Sequence, residues 1–86
     1  MTFEQIKVVI DNWDPIGLLA GHAPPDEYDI ESRAIFEEAR GITSPEDLAK
    51  LIQRVFTRFF GESLSPSFES CLLASQKILQ SSLDLT

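Results

Sequence analysis

The segment from Ser44 to Gly61 constrains the fold more than any other part of the chain. Leu48, Leu51, Ile52, Val55, Phe56, Phe59 and Phe60 recur at three- and four-residue steps without a miss, which is the period of one apolar helix face. Both ends are marked. Ser44 precedes Pro45 and Asp47, giving a cap, a proline at the first helical position and a capping box. Gly61 stops the run. So apolar a stripe needs covering elements, and this helix is expected to supply most of the core.

Three further helices are predicted to cover it. The first spans about Phe3 to Trp13, with Thr2 and Gln5 as a capping box and Phe3, Ile6, Val9, Ile10 and Trp13 on one face. Asp14-Pro15 ends it, because a residue before proline is pushed out of the helical region. The second spans Pro25 or Asp26 to Arg40. Asp26, Glu27 and Asp29 suit the positive end of its dipole, Arg40 the negative end, and Gly41 a C-terminal cap. Its stripe is weak, with Tyr28, Ile35, Ala39 and Ile42 on one side and Ile30, Ala34 and Phe36 nearby, so much of it must face solvent or a partner. The fourth opens at Ser65-Pro66 and carries Phe68, Cys71, Leu72, Ser75, Ile78, Leu79 and Ser82, with its last few residues fraying.

Residues 14–25 hold two glycines and three prolines, which disfavours regular structure. They also hold Ile16, Leu18 and Leu19, which should fold back onto the core. No strand-like alternation competes with the helices. The expectation is one all-α domain over residues 1–86, a compact antiparallel four-helix bundle with a long ordered loop between helices one and two.

Charge narrows the choice of partner. The net charge is −7, and residues 1–40 hold nine acids against three bases. Such a field repels nucleic acid and anionic membranes and attracts a basic protein. No apolar run approaches the roughly 20 residues of a membrane span, and no signal peptide is visible at the N-terminus. The single cysteine, Cys71, excludes an intramolecular disulfide and a multi-thiolate metal site, and it suits the reducing cytoplasm.

Trp13-Asp14-Pro15-Ile16-Gly17 is the most distinctive string. It reads either as a helix stop, with Asp14 satisfying local backbone donors, or as a shaped loop presenting Asp14 to a partner. The same string, with Tyr28-x-x-Glu31 and an amphipathic helix ending Phe59-Phe60-Gly61, resembles the YugE-like family of small, all-helical bacterial proteins (domain of unknown function 1871). The resemblance spans most of the chain. It implies a helical fold and a bacterial origin, and it transfers no activity. In size and acidity the chain is also similar to the immunity proteins that neutralise bacterial nuclease toxins.

Asp26, Glu27, Asp29 and Glu31 surround Tyr28. They read as a solvated helix start or as a recognition patch, with Tyr28 the anchor and the acids steering a basic partner. The cluster lacks the ligand spacing and glycine of a calcium loop, and no metal or other cofactor is expected. His22 stands alone in its loop, and Cys71 falls on an apolar face. No local signature makes either one catalytic. Lys50, Arg54 and Arg58 follow at four-residue spacing, as a solvated face, a bridge to acids of the second helix or a phosphate-binding row.

The expected function is therefore a non-enzymatic protein-binding module, most concretely an acidic immunity or inhibitor protein that blocks the active site of a basic toxin. Asp14, Asp26, Glu27, Tyr28, Asp29 and Glu31 are its expected contact residues. The alternative is a cytosolic housekeeping protein acting as a homodimer, a larger homo-oligomer or a regulatory subunit.

Overall fold

In a computed structural model, residues 1–84 are described, with side chains as far as Ser81. The fraying of the last few residues and the side chain of Ser82 lie outside that range. Helix α1 is Phe3–Trp13, α2 is Asp29–Glu38, α3 is Pro45–Phe60 and α4 is Phe68–Asp84, with a 3-10 turn at Glu62–Leu64. No strand occurs among the described residues. The radius of gyration is 11.9 Å, against ~12 Å expected for a compact domain of this length.

Local chemistry sets most of the ends. Thr2 Oγ1 accepts from Gln5 N–H at 3.2 Å while Gln5 Oε1 accepts from Thr2 N–H at 2.8 Å, which closes the capping box of α1. Ser44 Oγ accepts from Asp47 N–H at 3.4 Å at the start of α3. Helix α4 starts later than Ser65-Pro66 implies. Its cap is Ser67, whose Oγ accepts from Ser70 N–H at 3.2 Å, while Ser65 sits at the end of the 3-10 turn.

Helix α2 is shorter than predicted at both ends. Residues 24–28 form turns, with Glu27 N–H bonded to the Pro24 carbonyl and Asp29 N–H to the Asp26 carbonyl. Asp26 and Glu27 thus precede the helix. Arg40 follows it, in a turn closed by Ile42 N–H on the Ala39 carbonyl at 3.0 Å. Gly41 stands at φ +81° inside that turn, so its glycine serves the turn and Ala39 is the helix cap.

The core gathers on α3. Leu48, Ala49, Leu51, Ile52, Val55 and Phe56 are buried together with Ile6, Val9 and Ile10 of α1, Ile35 of α2 and Cys71, Ala74 and Ile78 of α4. Phe59, counted in the apolar stripe, is instead 44% exposed. Ser75 is buried among the apolar residues of α4 because its hydroxyl donates to the Cys71 carbonyl at 2.8 Å. Ile16, Leu18 and Leu19 pack against this core from the α1–α2 connection.

Helices α1 and α4 run in opposite directions: Gln5 Nε2 reaches the Ser81 carbonyl, and Trp13 shares a hollow with Ser70. A simple up-and-down order would place the end of α2 beside the start of α3. Instead Tyr28 rings against Phe56 while Glu38 pairs with Arg58, both in the last turns of α3. Helix α2 therefore lies across the C-terminal part of α3.

Candidate functional site

The six residues expected to contact a partner all lie in the α1–α2 connection and the start of α2, but they divide into two sets. Asp14, Tyr28 and Glu31 are spent on the interior. Asp26, Glu27 and, in part, Asp29 face outward.

Asp14 is the hub of the connection. It caps α1 in the left-handed region at φ 50°, whereas a residue before proline is expected to extend. In that conformation its Oδ1 accepts from Leu19 N–H at 3.1 Å and its Oδ2 from Ala20 N–H at 2.9 Å. The Tyr28 hydroxyl donates to Oδ1 at 2.6 Å and accepts from the N–H groups of Ile16 and Leu18 at 3.2 and 3.3 Å. Asp14 and Tyr28 together hold four backbone donors of one connection. The Tyr28 hydrogen bond, with the backbone amides, holds the Asp14 carboxyl below the usual carboxylate range. Burial, reinforced by Asp14, pushes the Tyr28 phenol up to about 12.

Tyr28 is fully buried, with its ring 6.0 Å from that of Phe56. It cannot serve as an exposed anchor, which corrects the expected contact role. Glu31 is likewise inside, at 4% exposure. The spacing explains both. Tyr28, Glu31, Ser32 and Ile35 stand at i, i+3, i+4 and i+7, so a helix that buries Tyr28 and Ile35 buries the two between them. Glu31 Oε1 and Ser32 Oγ have no hydrogen-bond partner. Burial raises the Glu31 carboxyl above its ordinary value, and the acids Glu27 and Asp29 add to the effect.

The first turn of α2 is tethered to α1. Lys7 Nζ bonds Asp29 Oδ1 at 2.6 Å, Asp11 Oδ2 at 3.0 Å and the Pro25 carbonyl at 3.2 Å, using all three of its donors. One turn further on, the Arg33 guanidinium sits 4.2 Å over the Phe3 ring. Ile30, Arg33, Glu37 and Glu38 of α2 are exposed, with Asp26 and Glu27 exposed just before the helix, while Ala34 packs partly against the core. Ile30 is 66% exposed. From sequence it was expected beside the apolar side of α2, although the five residues from Ile30 to the buried Ile35 turn a helix about 140°.

The remaining candidates separate. His22 is exposed on its loop at φ 71°. Cys71 is fully buried, and burial pushes its thiol up to about 11. The described residues contain no group of three or more His, Cys, Asp or Glu placed to hold a metal ion, and no helix among them is long and apolar enough to cross a membrane.

No curated protein and no solved structure matches the chain. A match does come from the family described as Domain of unknown function (DUF1871), over residues 5–82, from the first turn of α1 to the last turn of α4. The chain belongs to that family.

Proposed function

We propose that the protein is a non-enzymatic binding module whose outward α2 face docks on a basic protein. The observation that carries this is Ile30, a large apolar side chain 66% exposed on α2, with the acids Asp26 and Glu27 exposed just before that helix and Glu37 exposed further along it. An apolar centre with a charged rim is the anatomy of a recognition patch. Asp26, Glu27 and Glu37 supply the rim. Asp14, Tyr28 and Lys7 act behind it, fixing the connection and the start of α2 before any partner arrives.

In its most concrete form the module is a bacterial immunity or inhibitor protein, acting in the cytoplasm, that covers the active site of a basic toxin. A homodimer through the same face is disfavoured, since it would set one acidic rim against another.

The test uses surface-immobilised protein and a basic partner captured at low salt. Ile30→Ala should raise the dissociation rate by tenfold or more. Asp26→Asn with Glu27→Gln should slow association and flatten its salt dependence. Rates unchanged in both variants would reject this face. A stable dimer by light scattering, lost in Ile30→Ala, would move the assignment to the oligomer.

A further inference from the structure

On the opposite charge pole, Lys50, Gln53, Arg54, Thr57 and Arg58 of α3 form one wall of an open groove of about 730 Å³. Glu62 and the Ser65-Pro66-Ser67 segment form the other wall. The two walls are tied together. Gln53 Nε2 donates to the Pro66 carbonyl at 3.1 Å, and the Thr57 hydroxyl shares a 2.8 Å hydrogen bond with Ser65 Oγ. The groove is thus a built feature, and none of Asp26, Glu27, Ile30 and Glu37 lines it.

Its cations are not equally committed. Arg58 forks onto Glu38, with Nη1–Oε2 at 2.7 Å and Nη2–Oε1 at 3.0 Å. Lys50 acts on Glu46 through space only. Arg54 has no ion pair among the described residues and acts only through space, on Glu38, although it stands between two like charges at four-residue spacing. That arrangement is unfavourable in an isolated helix and is relieved by an anion.

We propose that the Lys50–Arg54 side of this groove binds an organic phosphate monoester, with Arg54 as the bidentate anchor and Lys50 as the second charge. Two arguments fix the class. A polyanion would meet the field of a chain at net −7 beyond the groove, whereas a single dianion fits within one Debye length of two cations. The groove also extends past Arg54 to Pro66, which with the aliphatic stem of Lys50 offers contact to an organic group.

The probe is phenyl phosphate, titrated into nitrogen-15-labelled protein at fixed ionic strength, with inorganic phosphate and chloride as comparisons. Saturable shifts of the amides of residues 50–58, 65, 67 and 68 are expected with phenyl phosphate, at least fivefold tighter than with inorganic phosphate. Arg54→Gln should weaken binding tenfold or more. Arg33→Gln, which removes the same charge far from the groove, should leave it unchanged. Equal affinity for the two phosphates would overturn the organic monoester. Equal loss in the two variants, or shifts matched by chloride, would overturn the site. Unaltered amide spectra of the unliganded variants confirm that both fold.

Discussion

The Tyr28 hydroxyl lies 2.6 Å from Asp14 Oδ1, and this one hydrogen bond joins the end of α1 to the start of α2 across the whole connection between them. Both partners also bind backbone: Asp14 takes Leu19 and Ala20, Tyr28 takes Ile16 and Leu18. Removing the phenol therefore releases a hydrogen-bonded unit. Tyr28→Phe should lower stability by about 1–2 kcal/mol. Asp14→Asn added to Tyr28→Phe should cost less than Asp14→Asn alone, because the two act as a pair. Urea unfolding followed by fluorescence of Trp13, the single tryptophan, measures both. Strict additivity would show that the pair is not coupled.

Tyr28 is the only tyrosine, so tyrosinate absorbance near 295 nm reports on it alone. The folded protein should titrate near 12 and the urea-unfolded chain near 10. The folded value is the raised one. Stability from this group is thus complete below pH 10 and is lost as pH climbs toward 12. A folded midpoint at 10 would mean that the phenol is not held as described.

Glu31 provides the opposite test at acid pH. Its folded value is raised by burial, so the ionised form is tolerated better in the unfolded chain. The contribution that favours folding is present below the ordinary value of 4.5 and is lost as pH rises through the folded value. Glu31→Gln should accordingly be more stable than the parent at pH 7 and equal to it below about pH 4. Denaturant midpoints of the two proteins across pH 3 to 7 decide this. A variant less stable at pH 7 would reveal a favourable role for the carboxylate.

Phe56 carries the aromatic centre. Its ring meets Trp13 at 6.0 Å, Tyr28 at 6.0 Å and Phe60 at 5.8 Å, so α1, α2 and α3 converge on one side chain. Phe56→Ala should cost about 3–5 kcal/mol, and Phe56→Leu should cost less. Calorimetric melting of both would show it. A loss under 1 kcal/mol for alanine would place the centre of the core elsewhere.

Gly41 separates backbone strain from crowding. A Cβ there meets nothing within 4 Å, yet φ is +81°. Gly41→Ala should cost about 1 kcal/mol through the backbone alone. A neutral result in a melting experiment would show that the turn adapts.

The outline of this protein was legible in its sequence because it rests on local rules. The period of Leu48 to Phe56, the Thr2 and Ser44 caps and the stop at Gly61 each depend on residues within one or two turns. Glu31 was expected to face a partner, although its spacing from Tyr28 and Ile35 turns it inward with them. Other features needed the tertiary structure. Asp14 and Tyr28 are fourteen residues apart, and no periodicity relates a carboxylate in a connection to a phenol beyond it. The same holds for Glu38 and Arg58, twenty residues apart, whose pairing follows from α2 crossing α3. Sequence determined which faces must be buried. The choice of what each face meets came from three-dimensional packing, because side chains distant along the chain compete for the same partners and only the folded geometry decides among them.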